Sequence, residues 1–259
     1  MTPILLALAA AQTATAEAPS AYAACLAQAR TSPAAAVTTA TEWRARGGGF
    51  EAAQCLGLAH VELGDWPAAA SVYEAAAATA PARAAELWAQ AGNAWIAAGE
   101  PARAVRAFDA ALASPQLSGP LRGEAHLDRA RARVALGEAD GARADLDAAL
   151  ALAPAHPLAW HLSAALAERG GDLARAGADS ARAVELAPED PAVLLLAGTI
   201  AGRAGDMAEA ERLYRRVVAL APESDPGRAA AASLATLREI EVDAAAAPAP
   251  EAAEAPQSR

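Results

Sequence analysis

One recurring spacing constrains this chain more than any other feature: a glycine followed sixteen or seventeen residues later by a proline. The glycines are Gly64, Gly99, Gly137, Gly171 and Gly205, and the prolines are Pro81, Pro115, Pro154, Pro188 and Pro222. A small residue lies five positions after each glycine, at Ala69, Ala104, Ala142, Ala176 and Ala210. Successive glycines are 34 to 38 residues apart. A period of this size indicates an array of repeated supersecondary units.

Each position in the period has a physical reading. The glycine ends one helix, where a left-handed backbone costs it little. The acidic residue that follows begins the next helix near its positive end. The proline ends that second helix. Alanine supplies much of the 54% apolar content and is the best helix former, so the chain is predicted to be all-α. A pair of alanine-rich helices has little apolar surface, so pairs must stack on their neighbours.

This pattern resembles the tetratricopeptide repeat. With each glycine at position 15 of a 34-residue unit, five repeats are predicted, and the second fits the consensus well through Trp88, Gly92, Trp95, Ala104, Phe108 and Ala111. The repeats, numbered one to five, span residues 50–83, 85–118, 123–156, 157–190 and 191–224. The resemblance implies an α-solenoid, a right-handed superhelix of about six helix pairs with a C-terminal capping helix.

The flanking segments complete the predicted domain plan. Residues 17–49 are expected to form a degenerate first helix pair, which ends in the glycine-rich turn Gly47–Gly49. Residues 225–240 are expected to form the capping helix that shields the last apolar face. The remaining residues, 241–259, are rich in alanine, proline and acidic residues, and are predicted to be a disordered tail.

The N-terminal residues resemble a short secretory signal. Residues 1–16 contain an apolar run and small-x-small motifs that suit cleavage, although no basic residue precedes Arg30. Export to the periplasm or cell envelope is therefore predicted. The alternative is a frayed alanine-rich leader on a cytoplasmic protein. No other stretch is apolar over the length of a membrane helix, so no span is expected.

Two cysteines bear on the compartment. In a reducing cytosol, Cys25 and Cys55 would be buried small hydrophobic residues, whereas an oxidising compartment would allow them to pair. Lipidation of Cys25 is disfavoured by Tyr22 and by the distance from the apolar run. In the family that the chain resembles, the first helices of adjacent units lie side by side. That resemblance implies a disulfide joining the degenerate pair to the array.

Repeats three and four depart from the family pattern at packing positions. Arg129 and Arg133 replace an apolar residue and a tyrosine in repeat three, and Ser163 and Ser180 stand at packing positions in repeat four. An arginine within a helix layer must pair with an acid or extend to solvent. An ion-paired structural role is expected, with ligand contact as the alternative. The candidate partners are Asp128, Asp145 and Asp147.

Several functions are disfavoured by the sequence. The formal charge of −10, with no lysine, argues against nucleic-acid binding, which needs a basic face. The four histidines lack the helical spacing of a metal site, and no phosphate-binding loop or nucleophile motif occurs. The chain is therefore predicted to need no metal or cofactor and to be no enzyme.

A binding surface remains. In the resembled family, the first helices of the repeats line a concave groove that holds peptides or partner helices. Asn93 matches the asparagine of the family's carboxylate clamp, but the accompanying basic residues are missing. The groove residues implied here are Gln54, Leu58, Gln90, Asn93, Asp128, Arg131, His161, Leu162, Leu195 and Thr199. These favour an amphipathic helix or an extended apolar peptide. The alternative is that the leucines only pack between repeats.

The functional prediction is a non-enzymatic scaffold that binds a protein or peptide partner in the envelope. Two alternatives remain open: a cytoplasmic adaptor or co-chaperone of the same fold, and an accessory subunit that positions substrates for an enzyme or secretion machine.

Overall fold

The structure is a computed structural model that describes residues 20–246, and in these residues it is helical throughout, with no strand. The predicted leader, 1–16, lies outside the described residues, as does the predicted tail from residue 247 onward. The chain divides into two compact units, Met1–Gly99 and Glu100–Arg259, which are described separately.

The first unit contains five α-helices among its described residues, with a short 3-10 turn, Pro81–Arg83, before the last of them. The helices are α1 (Ala21–Thr31), α2 (Pro33–Ala45), α3 (Gly49–Glu62), α4 (Trp66–Thr79) and α5 (Ala84–Ala97). The second unit contains α6 (Pro101–Leu112), α7 (Gly119–Leu136), α8 (Ala139–Leu152), α9 (Pro157–Arg169), α10 (Leu173–Leu186), α11 (Pro191–Arg203), α12 (Met207–Leu220) and α13 (Asp225–Ala246).

The five repeat glycines adopt the left-handed conformation that the sequence predicts. Their φ angles lie between 71° and 89°, a region that is costly for side chains with a Cβ. The acidic residue after each glycine caps the following helix only where it is aspartate. Asp65, Asp172 and Asp206 accept a hydrogen bond from a first-turn backbone N–H, whereas Glu100 and Glu138 make no such cap. Aspartate is among the preferred N-cap residues.

The helices pack through the alanines. The five alanines that follow the repeat glycines, Ala69, Ala104, Ala142, Ala176 and Ala210, are completely buried. Four positions further along each helix, the larger residues Tyr73, Phe108, Leu146 and Tyr214 are also buried, and Ser180 takes that place in repeat four. Small and large side chains therefore alternate along the second helices, which lets the helix axes approach while the gaps between them are filled.

The C-terminal helix covers the end of the second unit. Ala230 and Leu234 of α13 belong to a buried cluster with Leu213, Tyr214 and Val217 of α12. The helix begins at Asp225 and continues past Ile240 to Ala246. The prediction placed its end at 240, but the next proline after Pro226 in the first turn is Pro248, so no helix-breaking proline intervenes.

Candidate functional site

The unusual arginines of repeat three converge on one buried carboxylate. Asp145 of α8 is 2% exposed and accepts hydrogen bonds from Arg129 Nε and Nη2 at 2.9 and 2.6 Å. Arg133 Nη1 donates to the same carboxylate at 2.7 Å, and His126 Nδ1 lies 2.8 Å from Oδ1. Both oxygens of Asp145 are thereby satisfied, which a buried carboxylate requires.

The charges of this cluster decide the ionisation of Asp145. Burial alone would raise its pKa, but hydrogen bonds from Arg129 and His126, with the charges of Arg129 and Arg133, hold the pKa of the carboxyl below its usual value. Arg129 also donates to Asp109 of α6 at 2.7 Å. The expectation of ion-paired arginines is met at Asp145, the one of the three candidate acids that accepts hydrogen bonds from both Arg129 and Arg133.

The other two candidate acids pair elsewhere. Asp128 accepts from Arg131 at 2.9 Å, one turn along its own helix. Asp147 pairs with Arg175 of α10 and lies 3.7 Å from Arg143. Both acids project from helix faces that Arg129 and Arg133 do not reach. The prediction that either might pair with these arginines is therefore wrong.

A second polar cluster crosses from repeat three to repeat four. Ser163 of α9, which is fully buried, donates its hydroxyl proton to Asp179 of α10. Arg143 of α8 donates to the Ser163 hydroxyl at 2.8 Å and to its carbonyl at 3.3 Å, while Arg175 donates to Asp179 at 3.3 Å. These contacts join three helices. We therefore interpret both polar clusters as contributing to the packing of the helices rather than to ligand binding.

An open site lies instead between α7 and α9, the first helices of repeats three and four. A cavity of about 190 Å³ is lined by Ala130, Arg131, Val134, Leu146, Leu162, Ala165 and Arg169. Two predicted groove residues, Arg131 and Leu162, are therefore brought together in one concavity. Five lining residues are not among the predicted groove residues: Ala130, Val134, Leu146, Ala165 and Arg169. Ala165 occupies the same repeat position as the predicted groove residues Asn93 and Arg131, so the 34-residue period carried a signal that could have found it.

The cavity has an apolar floor and a basic rim. Arg131 is already paired with Asp128 at 2.9 Å. Arg169 is exposed and makes no ion pair with any residue between 20 and 246. An apolar cavity beside an uncompensated guanidinium suits an apolar side chain that has a carboxylate nearby.

The other predicted groove residues of α9 and α11, which are His161, Leu195 and Thr199, do not line this cavity. His161 is half-buried, and its Nδ1 has no hydrogen-bond partner among the described residues. Burial lowers the pKa of His161 and so favours the neutral ring, although the negative charge of Asp190 acts in the opposite direction. Leu195 packs against the core cluster of α11–α13, and Thr199 donates its hydroxyl proton to the Leu195 carbonyl at 3.0 Å.

The four predicted groove residues of the first unit differ in exposure. Gln54 is 7% exposed, so it lies inside the helix layer, and its Nε2 has no partner within the described chain. Leu58 packs against the core cluster that contains both cysteines. Gln90 is half-buried with an unpaired Oε1, whereas Asn93 is exposed. The leucines Leu58, Leu162 and Leu195 thus serve packing, as the alternative interpretation expects, and only Leu162 also lines the cavity.

The two cysteines form a disulfide. Cys25 of α1 is joined to Cys55 of α3 across a sequence separation of 30 residues, with 5.9 Å between the Cα atoms. Both side chains are buried in a cluster with Ala29, Ala36 and Ala40. The bond ties the degenerate first helix pair to the first repeat.

None of the helices between residues 20 and 246 is both long and apolar enough to cross a membrane. The same part of the chain holds no group of histidine, cysteine or acidic residues arranged to bind a metal ion.

Comparison with known proteins places this geometry in a family context. A family model described as tetratricopeptide repeat matches residues 192–224, which is repeat five. No curated protein sequence matches the chain.

Solved structures match much more of the chain. The type IV pilus biogenesis factor PilW is 20% identical, with a TM-score of 0.67 over 82% of this chain and 98% of its own. PilF of Pseudomonas aeruginosa is 15% identical, with a TM-score of 0.62 over 80% and 98%. YrrB, described as a TPR protein with an unusual peptide-binding site, is 16% identical, with a TM-score of 0.56 over 72% and 94%.

These similarities confirm the all-α solenoid class, while the right-handed superhelix stays a prediction. At these identities they establish the fold and not the activity. Residues 192–224 match the tetratricopeptide-repeat family model, and the repeated glycine turns and buried alanines of the chain belong to a fold shared with solved tetratricopeptide-repeat structures.

Proposed function

We propose that the chain is a non-enzymatic scaffold that binds a peptide segment of a partner protein on the first-helix face of its second unit. The observation that carries this proposal is the cavity between α7 and α9, which joins an apolar floor to the exposed Arg169. The unpaired Nδ1 of His161 adds a polar group that a bound peptide backbone can satisfy once the ring rotates. YrrB offers a precedent for peptide binding on this fold.

The cavity selects the partner by chemistry. Its volume of about 190 Å³ accommodates one large apolar side chain rather than a drug-sized ligand, which needs about 300 Å³ or more. The basic rim favours acidic residues next to that anchor. The proposed ligand is therefore an acidic peptide with a central leucine or phenylalanine.

Fluorescence anisotropy with a defined peptide tests this proposal. The probe is a short labelled peptide with a central Leu-Phe pair flanked by glutamates, measured against the full chain. Arg169→Glu and Ala165→Leu should each weaken binding by about tenfold or more, the first by charge and the second by filling the cavity. Arg215→Glu is the matched control, because Arg215 is exposed on α12 and lines neither this cavity nor its rim. Equal binding by wild type, Arg169→Glu and Ala165→Leu would contradict the proposal.

We further propose that the scaffold works in the periplasm or cell envelope. The leader-like residues 1–16 and the Cys25–Cys55 disulfide support this location, because structural disulfides persist in oxidising compartments. The shared fold with PilW, a type IV pilus biogenesis factor, is compatible with an envelope role. N-terminal sequencing and thiol titration of the protein from its native host test the location. An intact Met1 with two free thiols would refute it and favour a cytoplasmic adaptor.

A further inference from the structure

A second and larger cavity opens on a different face of the second unit. It has a volume of about 450 Å³ and lies between α10 and the helix pair α11–α12. Its lining residues are Leu173, Gly177, Ser180, Ala181, Val184, Glu185, Ala197, Ile200, Ala201, Ala204, Asp206, Glu209 and Leu213. None of these residues belongs to the smaller cavity between α7 and α9.

The cavity exists because three side chains change together from one repeat junction to the next. At the junction of repeats three and four, Arg143, Ser163 and Asp179 fill the space with a hydrogen-bonded cluster. Each has a counterpart 34 residues further along the chain, and these counterparts are Gly177, Ala197 and Leu213. The polar cluster is therefore replaced by residues without polar side chains, and the exchange of arginine for glycine leaves space beside Gly177.

The lining combines an apolar floor with an acidic rim. Ile200, Leu213 and Ala197 are buried at the floor. All three ionisable side chains that line the cavity are acidic: Glu185, Asp206 and Glu209. Arg182 and Arg212 pair with two of these acids, at 2.6 and 2.5 Å, but neither arginine lines the cavity. Such exposed pairs are weak, so a basic group from a partner can replace them.

We propose that this cavity is a second docking site, which takes an apolar side chain carried on a basic segment of a partner protein. Charge complementarity is the reason for choosing this partner. A leucine or phenylalanine flanked by Lys or Arg would place its apolar side chain on the floor and the flanking positive charges at the acidic rim. The volume lies within the range of well-formed binding pockets.

The chain itself supplies no segment with this chemistry. Residues 1–19 contain no arginine or lysine. Residues 247–259 contain two glutamates and one arginine, which is the terminal Arg259. A second copy would bring a formal charge of −10 toward an acidic rim. A basic segment of a different protein is the occupant that the charges favour.

The test uses the full chain and two labelled peptides that differ only in their flanking charges. Both have a central Leu-Phe pair, flanked by lysines in one and by glutamates in the other. The lysine peptide should bind wild type and should lose affinity by about tenfold or more in Gly177→Leu, which fills the cavity. A Cβ added at Gly177 meets no atom within 4 Å, so the substitution has room. Thermal unfolding of the variant checks that it folds.

Two further variants separate this site from the α7–α9 cavity. Ala165→Leu should leave lysine-peptide binding unchanged, and Gly177→Leu should leave glutamate-peptide binding unchanged. The double variant Glu185→Gln/Glu209→Gln should weaken the lysine peptide and reduce the salt dependence of its binding. The proposal is overturned if the lysine peptide does not bind wild type, or if it binds Gly177→Leu and the glutamine variant as tightly as wild type. Failure of the glutamate peptide alone would remove only the function proposed for the smaller cavity.

Discussion

Asp145 accepts hydrogen bonds from two arginines and contacts a histidine, all within one helix layer. Because the carboxylate is 2% exposed, it cannot exchange these partners for water. Removing a single member of a buried ionic cluster leaves the other charges uncompensated. The free-energy cost of that removal is much larger than the net contribution of the intact cluster to stability.

Asp145→Ala should therefore destabilise the second unit severely. We expect the free energy of unfolding to fall by roughly 3–5 kcal/mol, because Arg129 and Arg133 lose their shared partner. Urea denaturation followed by circular dichroism measures the change. Asp147→Ala is the control, since Asp147 is 47% exposed and its removal should cost about 1 kcal/mol or less.

The same carboxylate should make the stability of the protein depend on pH. The folded state holds the pKa of Asp145 below its usual value of about 3.9, so this stabilisation is complete above that pH and is lost as the pH falls through the folded pKa. As the pH falls below about 4, the wild-type protein should thus lose more stability than Asp145→Ala loses. Parallel acid-denaturation slopes for the two proteins would contradict this assignment.

Glycine and tyrosine are matched in size across the helix pair in repeats one and five. A Cβ on Gly57 would lie 2.3 Å from the ring of Tyr73, and a Cβ on Gly198 would lie 2.7 Å from the ring of Tyr214. Repeat three has Ala130 at the same position, with a leucine in place of the tyrosine. The size of one residue therefore limits the size of the other.

Gly57→Ala should destabilise the first unit by about 1–3 kcal/mol through overpacking. The cost should shrink below about 1 kcal/mol in a Tyr73→Leu background, which reproduces the pairing of repeat three. A double-mutant cycle from thermal or urea unfolding measures this coupling. Additive effects of the two substitutions would mean that the ring and the glycine do not constrain each other.

At the scale of elements, we expect α1 to depend on its disulfide more than on its own packing. It buries only Cys25 and Ala29 among its residues. The bond to Cys55 closes a loop over a sequence separation of 30 residues, which restricts the unfolded chain.

Cys25→Ala combined with Cys55→Ala should lower the stability of the first unit by roughly 3 kcal/mol. Reduction of the wild-type protein should have a similar effect, whereas the double variant should not respond to reductant. Unfolding of both proteins with and without dithiothreitol measures this difference. Equal stability of oxidised and reduced wild type would show that packing alone holds α1 in place.

At the scale of the whole molecule, the described helices of each unit make substantial contacts only with helices one or two places away in sequence. Such linear arrays behave as a sum of local stabilities and nearest-neighbour interfaces. A defect in one repeat should therefore remain local within its unit.

Hydrogen exchange tests this locality. Asp145→Ala should speed amide exchange in α7 and α8, and by a smaller amount in the adjoining α9, with little change in α12 and α13. Exchange measured by mass spectrometry in wild type and Asp147→Ala provides the baseline. A uniform increase across the second unit would instead indicate that its helices unfold together.

The sequence by itself determined the local features of this protein. Gly64 and its counterparts need a left-handed backbone, alanines at a fixed offset allow close packing, and prolines end the second helices, so the period was enough to predict the helix pairs. These features depend on residues a few positions apart, where backbone geometry leaves few choices.

Only the tertiary structure decided how distant side chains meet. The sequence left Arg129 three acidic candidates, and the approach of α7 to α8 selected Asp145. The sequence placed Gln54 in the groove, and the packing of α3 buried it. The cavity beside Gly177 depends on three residues from adjacent repeats changing together. Repeat position assigns each side chain to a helix face, but pairing and empty volume depend on how two or three helices approach one another.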